Sequence, residues 1–396
     1  MMAAGRAAER GRKTLLLEKN DILGKKLLIS GKGRCNITNA GDIDDHLENF
    51  SRKGRFLRNA FSRVFNSELT DFFEKRGVPL KVERGKRVFP RSDRSKDILA
   101  ALKIFLKDNG VDVVLQSEVK DIGVSADGVK TISLADGSVW ESGTVALCTG
   151  GLSYPQTGST GFGFLAAKKF GHDIIKPRPA LVPLVADSDM PRSWQGLSLK
   201  NIKAGLIIKE RRVSERFGDL IFTHFGLSGP TILDLSAEAF DLLQTQEEIY
   251  VSIDMKPALE KKQLDARLIR ELSGHAGRHL KSVLKGLMPQ RMIEGFAKMR
   301  NIDAGIKTNQ VTRSDRKNIV DGLKDLRFMI KEARPIEEAI VTRGGVDTSE
   351  IYPKTMESKL VRGLFFAGEL IDVDAKTGGY NMQAAFSTGY LCGDNL

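Results

Sequence analysis

Three short, unbroken apolar runs constrain what this chain can fold into more than any other feature. Residues 15–17 (Leu-Leu-Leu) end at Glu18, and residues 144–148 (Thr-Val-Ala-Leu-Cys) run into Thr149, Gly150 and Gly151. Residues 364–367 (Leu-Phe-Phe-Ala) run into Gly368 and Glu369. Apolar strands without alternation, bounded by turns, belong to parallel sheets covered on both faces, the architecture of α/β domains. In such a domain a carboxylate at the end of a strand is placed to accept hydrogen bonds from a ribose. Taken alone, Glu18 reads more readily as a solvated strand end. A glycine turn belongs about 20 residues before such a carboxylate. Here the chain opens instead on an Ala-rich helical stretch closed by Gly11, so the first strand and its turn are expected to be missing.

Residues 24–41 (GKKLLISGKGRCNITNAG) read as a Gly- and Lys-rich loop. Its amides, with Lys25, Lys26, Lys32 and Arg34, suit an anion; Ser30, Asn36, Thr38 and Asn39 also suit plain turn capping. Residues 46–108 read as amphipathic helix and basic turns, and 111–134 as strands with hairpin loops at Asp127-Gly128 and Asp136-Gly137. Gly161-x-Gly163-x-x-Ala166 follows a Pro/Gly loop rather than a strand, which argues against a second nucleotide site. From about residue 183 the texture changes. Alternation at 202–209 and 249–253 predicts antiparallel strands, and 259–299 predicts helices. Near residue 340 the glycine-rich style returns, and Gly378-Gly379-Tyr380-Asn381 opens a final helix. The expected organisation is a discontinuous domain, residues 1–185 and 340–396, interrupted by an insert at 186–339.

The 396 residues are 41% hydrophobic and 28% charged, which excludes wholesale disorder. No apolar run approaches the ~18–20 residues of a membrane span, and the start has no signal-peptide core. Cys35, Cys148 and Cys392 form neither a disulfide framework nor a CxxC site, which fits a reducing, cytoplasmic setting. The net charge of +12 is scattered, with modest clusters at 53–63 and 81–94. It reads as a solvated surface with local phosphate contacts. A small-molecule substrate is expected, with no membrane and no nucleic-acid partner. His275 and His279 stand at i, i+4 without a third ligand, so no metal site is expected.

Five blocks together resemble one family: GKKLLISGKGRCNITN, ALCTGGLSYPQTGSTGFG, FTHFGLSGPTIL, TRGGVD and FFAGELIDVDAKTGGYNMQAAFSTG. They are similar, in order and over nearly the whole chain, to the BaiN/YhiN-type FAD-dependent oxidoreductases, which include bile-acid-ring reductases and aminoacetone oxidases. The resemblance implies an α/β, glutathione-reductase-like (Rossmann-type) FAD-binding domain with an inserted β-barrel and helical substrate domain. The family pattern begins with a strand and a GGGAAG-like turn, about a dozen residues ahead of a stretch like residues 1–18.

By the same resemblance, Glu18 meets the adenosine ribose with Lys19 beside it, and Val119 meets the adenine. Arg34, Asn36 and Thr38 line the flavin side, and Thr149, Gly150 and Gly151 let the chain pass close to the cofactor. Gly368, Glu369 and Asp372 lie near the ribityl chain. Gly378, Gly379, Tyr380 and Asn381 set a helix start against the flavin pyrimidine. His224 or Tyr380 is the candidate proton donor, and NADH or NADPH is a candidate transient hydride donor. Oxygen remains an alternative acceptor. Cys35 lacks the partner of a CxxxxC redox pair, since residue 40 is Ala40, and is expected to be a packed thiol. The alternatives are a flavin-dependent tRNA-modifying protein, which would use the positive charge, and a truncated, non-catalytic homologue.

Overall fold

In the computed structural model the apolar runs become parallel strands, in two separate pairs. Leu15–Leu17 pairs with Asp112–Val114, and Leu364–Phe366 pairs with Val145–Leu147. The structure describes residues 1–51, 53–245 and 248–396. They divide into two compact units, Met1–Ala180 with Ile336–Leu396, and Leu181–Pro335. The breaks fall a few residues ahead of those read from the sequence. The reason is local: Leu184–Ala186 is already a strand of the inserted unit, paired with Gly226–Ser228 and Leu326–Ala333. Ile174–Ala180 instead pairs antiparallel with Val341–Val346 and closes the discontinuous unit.

The discontinuous unit is α/β. Met2–Glu9 packs against the last helix, Tyr380–Asn395, and against Ser95–Asp108. Arg6 binds Asp394 at 2.6 Å across that contact. A three-stranded meander, Val119–Val124, Lys130–Leu134 and Val139–Ser142, turns at Gly128 and Gly137 as expected. Both glycines have φ near +86°, where a Cβ is disfavoured. Two expectations are corrected here. Within 46–108 the chain forms a hairpin, Leu80–Glu83 with Arg87–Pro90, joined by Thr38–Asn39 into a three-stranded sheet. Its strands are only four residues long, with three charged residues among the eight, so helical periodicity in the flanks masked them. Lys25–Gly33 is helical up to a break at Ser30, Gly31 and Lys32, because Leu27 is buried and the segment packs on Ser95–Asp108.

The inserted unit is a closed six-stranded barrel. Around it run Leu184–Ala186, Gly226–Ser228, Arg211–Phe222, Ser198–Ile208, Ile249–Asp254 and Leu326–Ala333. Alternation supplies its interior: in Leu326–Ala333, Leu326, Phe328 and Ile330 are buried, Arg327 and Met329 between them half-buried, and Lys331 exposed. Pro230–Leu243 packs on the barrel, and Trp194 stands edge-on to Phe222 at 5.0 Å. The stretch expected to be helical resolves into Lys261–Gly274, Leu280–Leu284 and Ile293–Met299. No helix among the described residues is long and apolar enough to cross a membrane.

Candidate functional site

A cavity of about 1610 Å³ opens in the α/β unit, walled by Leu15–Leu17 on one side and Val145–Leu147 on another. Each of these strands pairs with one neighbour among the described strands, so each turns its other edge to the cavity. Glu18, Lys19, Val119, Thr149 and Gly150, five residues marked from the sequence, line it. Glu18 is held by its own turn: Oε1 accepts from the Asn20 amide at 2.9 Å and from Asn20 Nδ2 at 2.7 Å. Asn20 in turn donates to the Thr157 carbonyl, and Lys19 Nζ donates to Thr160 Oγ1 at 2.8 Å. The loop 157–160 is thereby tied to the turn that holds the carboxylate. Gly150 has φ +73°, and a Cβ there would meet Ser159 Oγ at 2.9 Å.

Glu369, placed at the end of Leu364–Phe366, is the hub of a polar network. Its Oε2 binds Lys26 Nζ at 2.5 Å, while Oε1 accepts from Ser153 Oγ at 2.9 Å and from the Thr342 amide at 2.8 Å. Lys26 also donates to Ser153 Oγ and lines the cavity. The sequence reading missed Lys26, Ser153 and Thr342 as a group, since they lie far apart in the chain. Gly151 is needed for this packing, because a Cβ would lie 2.3 Å from Thr342 Oγ1. Gly368 has φ +74°, and its amide donates to Thr388 Oγ1. Asp372 binds Lys53 at 2.9 Å, alongside Asp347.

The Gly378–Asn381 turn meets the other marked segment directly. Asn39 Nδ2 donates to the Gly378 carbonyl at 3.1 Å, and a Cβ on Gly379 would stand 2.3 Å from the Thr38 carbonyl oxygen. Gly379 therefore also serves contact between two parts of the chain, a role beside the cofactor contact read from the sequence. Thr38 Oγ1 donates to buried Gln383. Asn381 is likewise occupied: its Oδ1 accepts from the Ala375 amide at 2.9 Å and its Nδ2 donates to the Ala375 carbonyl at 2.8 Å. Arg34 lies over Phe89 and pairs with Glu83 and Asp93. Asn36 Oδ1 is a buried acceptor without a partner. No side chain caps the start of Tyr380–Asn395. The Tyr380 ring stands edge-on to His46 at 5.0 Å, a fully buried residue that the sequence reading passed over.

The family model described as the HI0933-like protein Rossmann domain matches residues 1–395. The chain belongs to the HI0933-like family. It is 29% identical over 378 residues to the 3-dehydro-bile acid delta(4,6)-reductase of Clostridium scindens, covering 96% of this chain and 91% of that protein. It is 30% identical over 397 residues to the ribosomal RNA dihydrouridine synthase of Escherichia coli K12, covering 100% and 95%. Among solved structures, a quinol-fumarate reductase with menaquinol matches with a TM-score of 0.51 at 14% identity, over 99% of this chain and 68% of that one. The 3-ketosteroid delta1-dehydrogenase of Sterolibacterium denitrificans matches with a TM-score of 0.50 at 12% identity, over 99% and 96%. The fold of this HI0933-like chain is thus a Rossmann-type FAD-binding α/β unit carrying a six-stranded barrel.

The α/β unit of the HI0933-like chain fits that cofactor on its own chemistry. The cavity is edged by polar groups, Glu18, Lys19 and Thr149 among them, and the start of the 16-residue helix Tyr380–Asn395, outside that lining, is an uncapped positive end. His224, the other proton-donor candidate, lies in the barrel unit, exposed and edge-on to Phe225 at 4.8 Å. Cys35 is buried, and burial pushes its thiol up to about 11, so it stays protonated at neutral pH. Cys148 differs from expectation: it follows its strand and is exposed to the cavity. Among the described residues no His, Cys, Asp or Glu group is arranged to hold a metal; His275 and His279 bind the Glu271 and Gly305 carbonyls.

Proposed function

We propose that this chain is an FAD-dependent reductase that adds hydrogen across a carbon–carbon double bond conjugated to a carbonyl. The carrying observation is Glu18, a carboxylate at the end of a parallel strand, one oxygen held by Asn20, that lines a cavity of about 1610 Å³. Bound FAD would supply the hydride, at flavin N5. The chain supplies the rest. Glu18 accepts hydrogen bonds from ribose hydroxyls, and the Val119 backbone borders the adenine. Asn36 would stand on the flavin side; its Oδ1 is a buried acceptor without a partner, a state that costs roughly 1–3 kcal/mol. The helix start at Gly379 and Tyr380 places its positive end at the pyrimidine edge, worth up to ~2 kcal/mol for a negative reduced ring. Tyr380 Oη holds the proton for the second carbon, and NADH or NADPH is the donor that recharges the site.

The reaction class is supported by what the two relatives share. One is named for reducing a bile-acid ring and the other for making dihydrouridine, and both names describe saturation of a double bond. A small organic substrate is the first reading. A second reading, an RNA uracil, is favoured by charge: residues 51–100 carry fourteen Lys or Arg against six Asp or Glu. The test is the visible spectrum of purified protein after FAD addition. Flavin bands that persist through gel filtration and bleach anaerobically with NADH or NADPH are expected. Glu18→Gln should weaken FAD about tenfold, about 1.4 kcal/mol. A protein that stays colourless refutes the proposal.

A further inference from the structure

We infer that the hairpin Leu80–Glu83 with Arg87–Pro90 is the surface that grips the phosphate backbone of an RNA substrate, beside the segment leading to Tyr380. The inference rests on the RNA reading above. Seven of the seventeen positions from 80 to 96 are Lys or Arg, against two carboxylates, Glu83 and Asp93. Those two are already shared by Arg34 and Lys81. Arg91 and Lys96 are exposed, with no carboxylate at ion-pair distance among the described residues. Lys86 and Arg94 hold only Asp45 and Asp97, in exposed pairs worth about 0–1 kcal/mol that a phosphate can displace.

Position makes the charge useful. Arg87 and Val88 pair with Asn39 and Thr38, and Asn39 Nδ2 joins the Gly85 carbonyl at the hairpin tip to the Gly378 carbonyl before the last helix. A backbone held on the hairpin is therefore tied through one side chain to the Tyr380 turn.

The chemistry selects RNA over two rivals. Lys86 and Arg91 flank the four-residue strand Arg87–Pro90, five residues and roughly 16 Å apart along the chain. One small anion cannot bridge that span, whereas successive phosphates can. A membrane surface would need an apolar face, and the hairpin exposes only Val82 as a large hydrophobic. Phe89 is covered by Arg34, at 4.2 Å, and is not open to stack on a base. The contact is thus to phosphates, without sequence preference, and steep in salt.

The experiment is fluorescence anisotropy with a labelled 20-nucleotide single-stranded RNA from 50 to 300 mM salt. It compares wild type, K86Q/R91Q/R94Q, and R278Q/K281Q/K285Q in and beside the short helix Leu280–Leu284 of the barrel unit, with circular dichroism confirming each fold. At 100 mM salt the hairpin variant should bind at least tenfold more weakly, with a salt slope shallower by about two. The barrel-unit variant should stay within twofold of wild type. If the triple variant misfolds, K86Q and R91Q singly should each cost about threefold. Wild type that binds while the hairpin variant binds equally, or while the barrel-unit variant loses as much, overturns the hairpin assignment and leaves the RNA reading intact. Wild type that ignores RNA even at 50 mM overturns both, and so does hairpin-dependent binding to phosphatidylserine vesicles without RNA binding.

Discussion

The two units of this chain solve the problem of burying strands in opposite ways. In the barrel every strand has two neighbours and the ring closes, so no edge is left. One continuous core, from Leu184 through Phe222 and Ile253 to Phe328, fills it and continues under the helices. The α/β unit divides its apolar residues between two clusters, one around Phe366 and one around Phe105. Its parallel strands stop in pairs, with edges facing a cavity. Closure maximises packing; an open seam gives room for a ligand, at the cost of unpaired backbone that a ligand or water must satisfy.

That contrast can be broken first at the barrel core. Phe222→Ala removes a fully buried ring that touches Trp194 and Phe328, and should destabilise the barrel unit by about 3–5 kcal/mol. Leu16→Ala, on a half-buried strand beside the cavity, should cost below ~2 kcal/mol. Urea melts of both variants, read by Trp194 in a Trp140→Phe background and by circular dichroism, give the comparison. Equal losses would mean that the cavity wall is as tightly packed as the barrel.

Next in size is the crossing of the two marked segments. Gly379→Val drives a Cβ into the Thr38 backbone at φ +102°, and should cost roughly 2–3 kcal/mol and abolish flavin retention. Gly11→Ala, also at positive φ but with nothing near its Cβ, is the control for backbone strain alone. If both variants behave alike, contact with Thr38 is not what demands glycine.

Acid should act on the α/β unit in a definite direction. Burial lowers the pKa of His46, and burial also lowers that of His172, with Glu350 opposing it. Both are therefore neutral in the fold, whereas the unfolded chain takes up protons near pH 6.5. Stability present above that pH is lost as pH falls below it. Melts at pH 7.5 and 5.5 should show the loss, and His172→Gln should flatten it. The smallest effect is expected at Cys35: Cys35→Ser should leave turnover unchanged in a steady-state assay, because the thiol is buried and protonated. Loss of turnover with flavin still bound would bring a thiol step back.

Much of this was legible because it is local. Unbroken apolar runs marked the parallel strands, alternation marked the barrel, and Asp-Gly turns marked the meander, since side-chain periodicity reports which faces are covered. The hairpin at 80–90 was not, because its pairing partner, Thr38–Asn39, lies some 50 residues away and is two residues long. Glu18 declared itself at a strand end, whereas the network of Glu369 with Lys26, Ser153 and Thr342 assembles from four distant segments.

Residue types and spacing by themselves determined the order of elements, the existence of an inserted unit, the carboxylates at strand ends and the absence of a CxxxxC pair. Tertiary structure alone decided what those residues touch. It assigned Gly379 to the Thr38 backbone, Asn381 to Ala375, Arg34 to Glu83 and Asp93, and the basic hairpin to the neighbourhood of Tyr380. The physical reason is range. Periodicity and turn preference act over a few residues, whereas a hydrogen bond or a close contact needs two segments within about 3 Å, and only the folded chain brings them there.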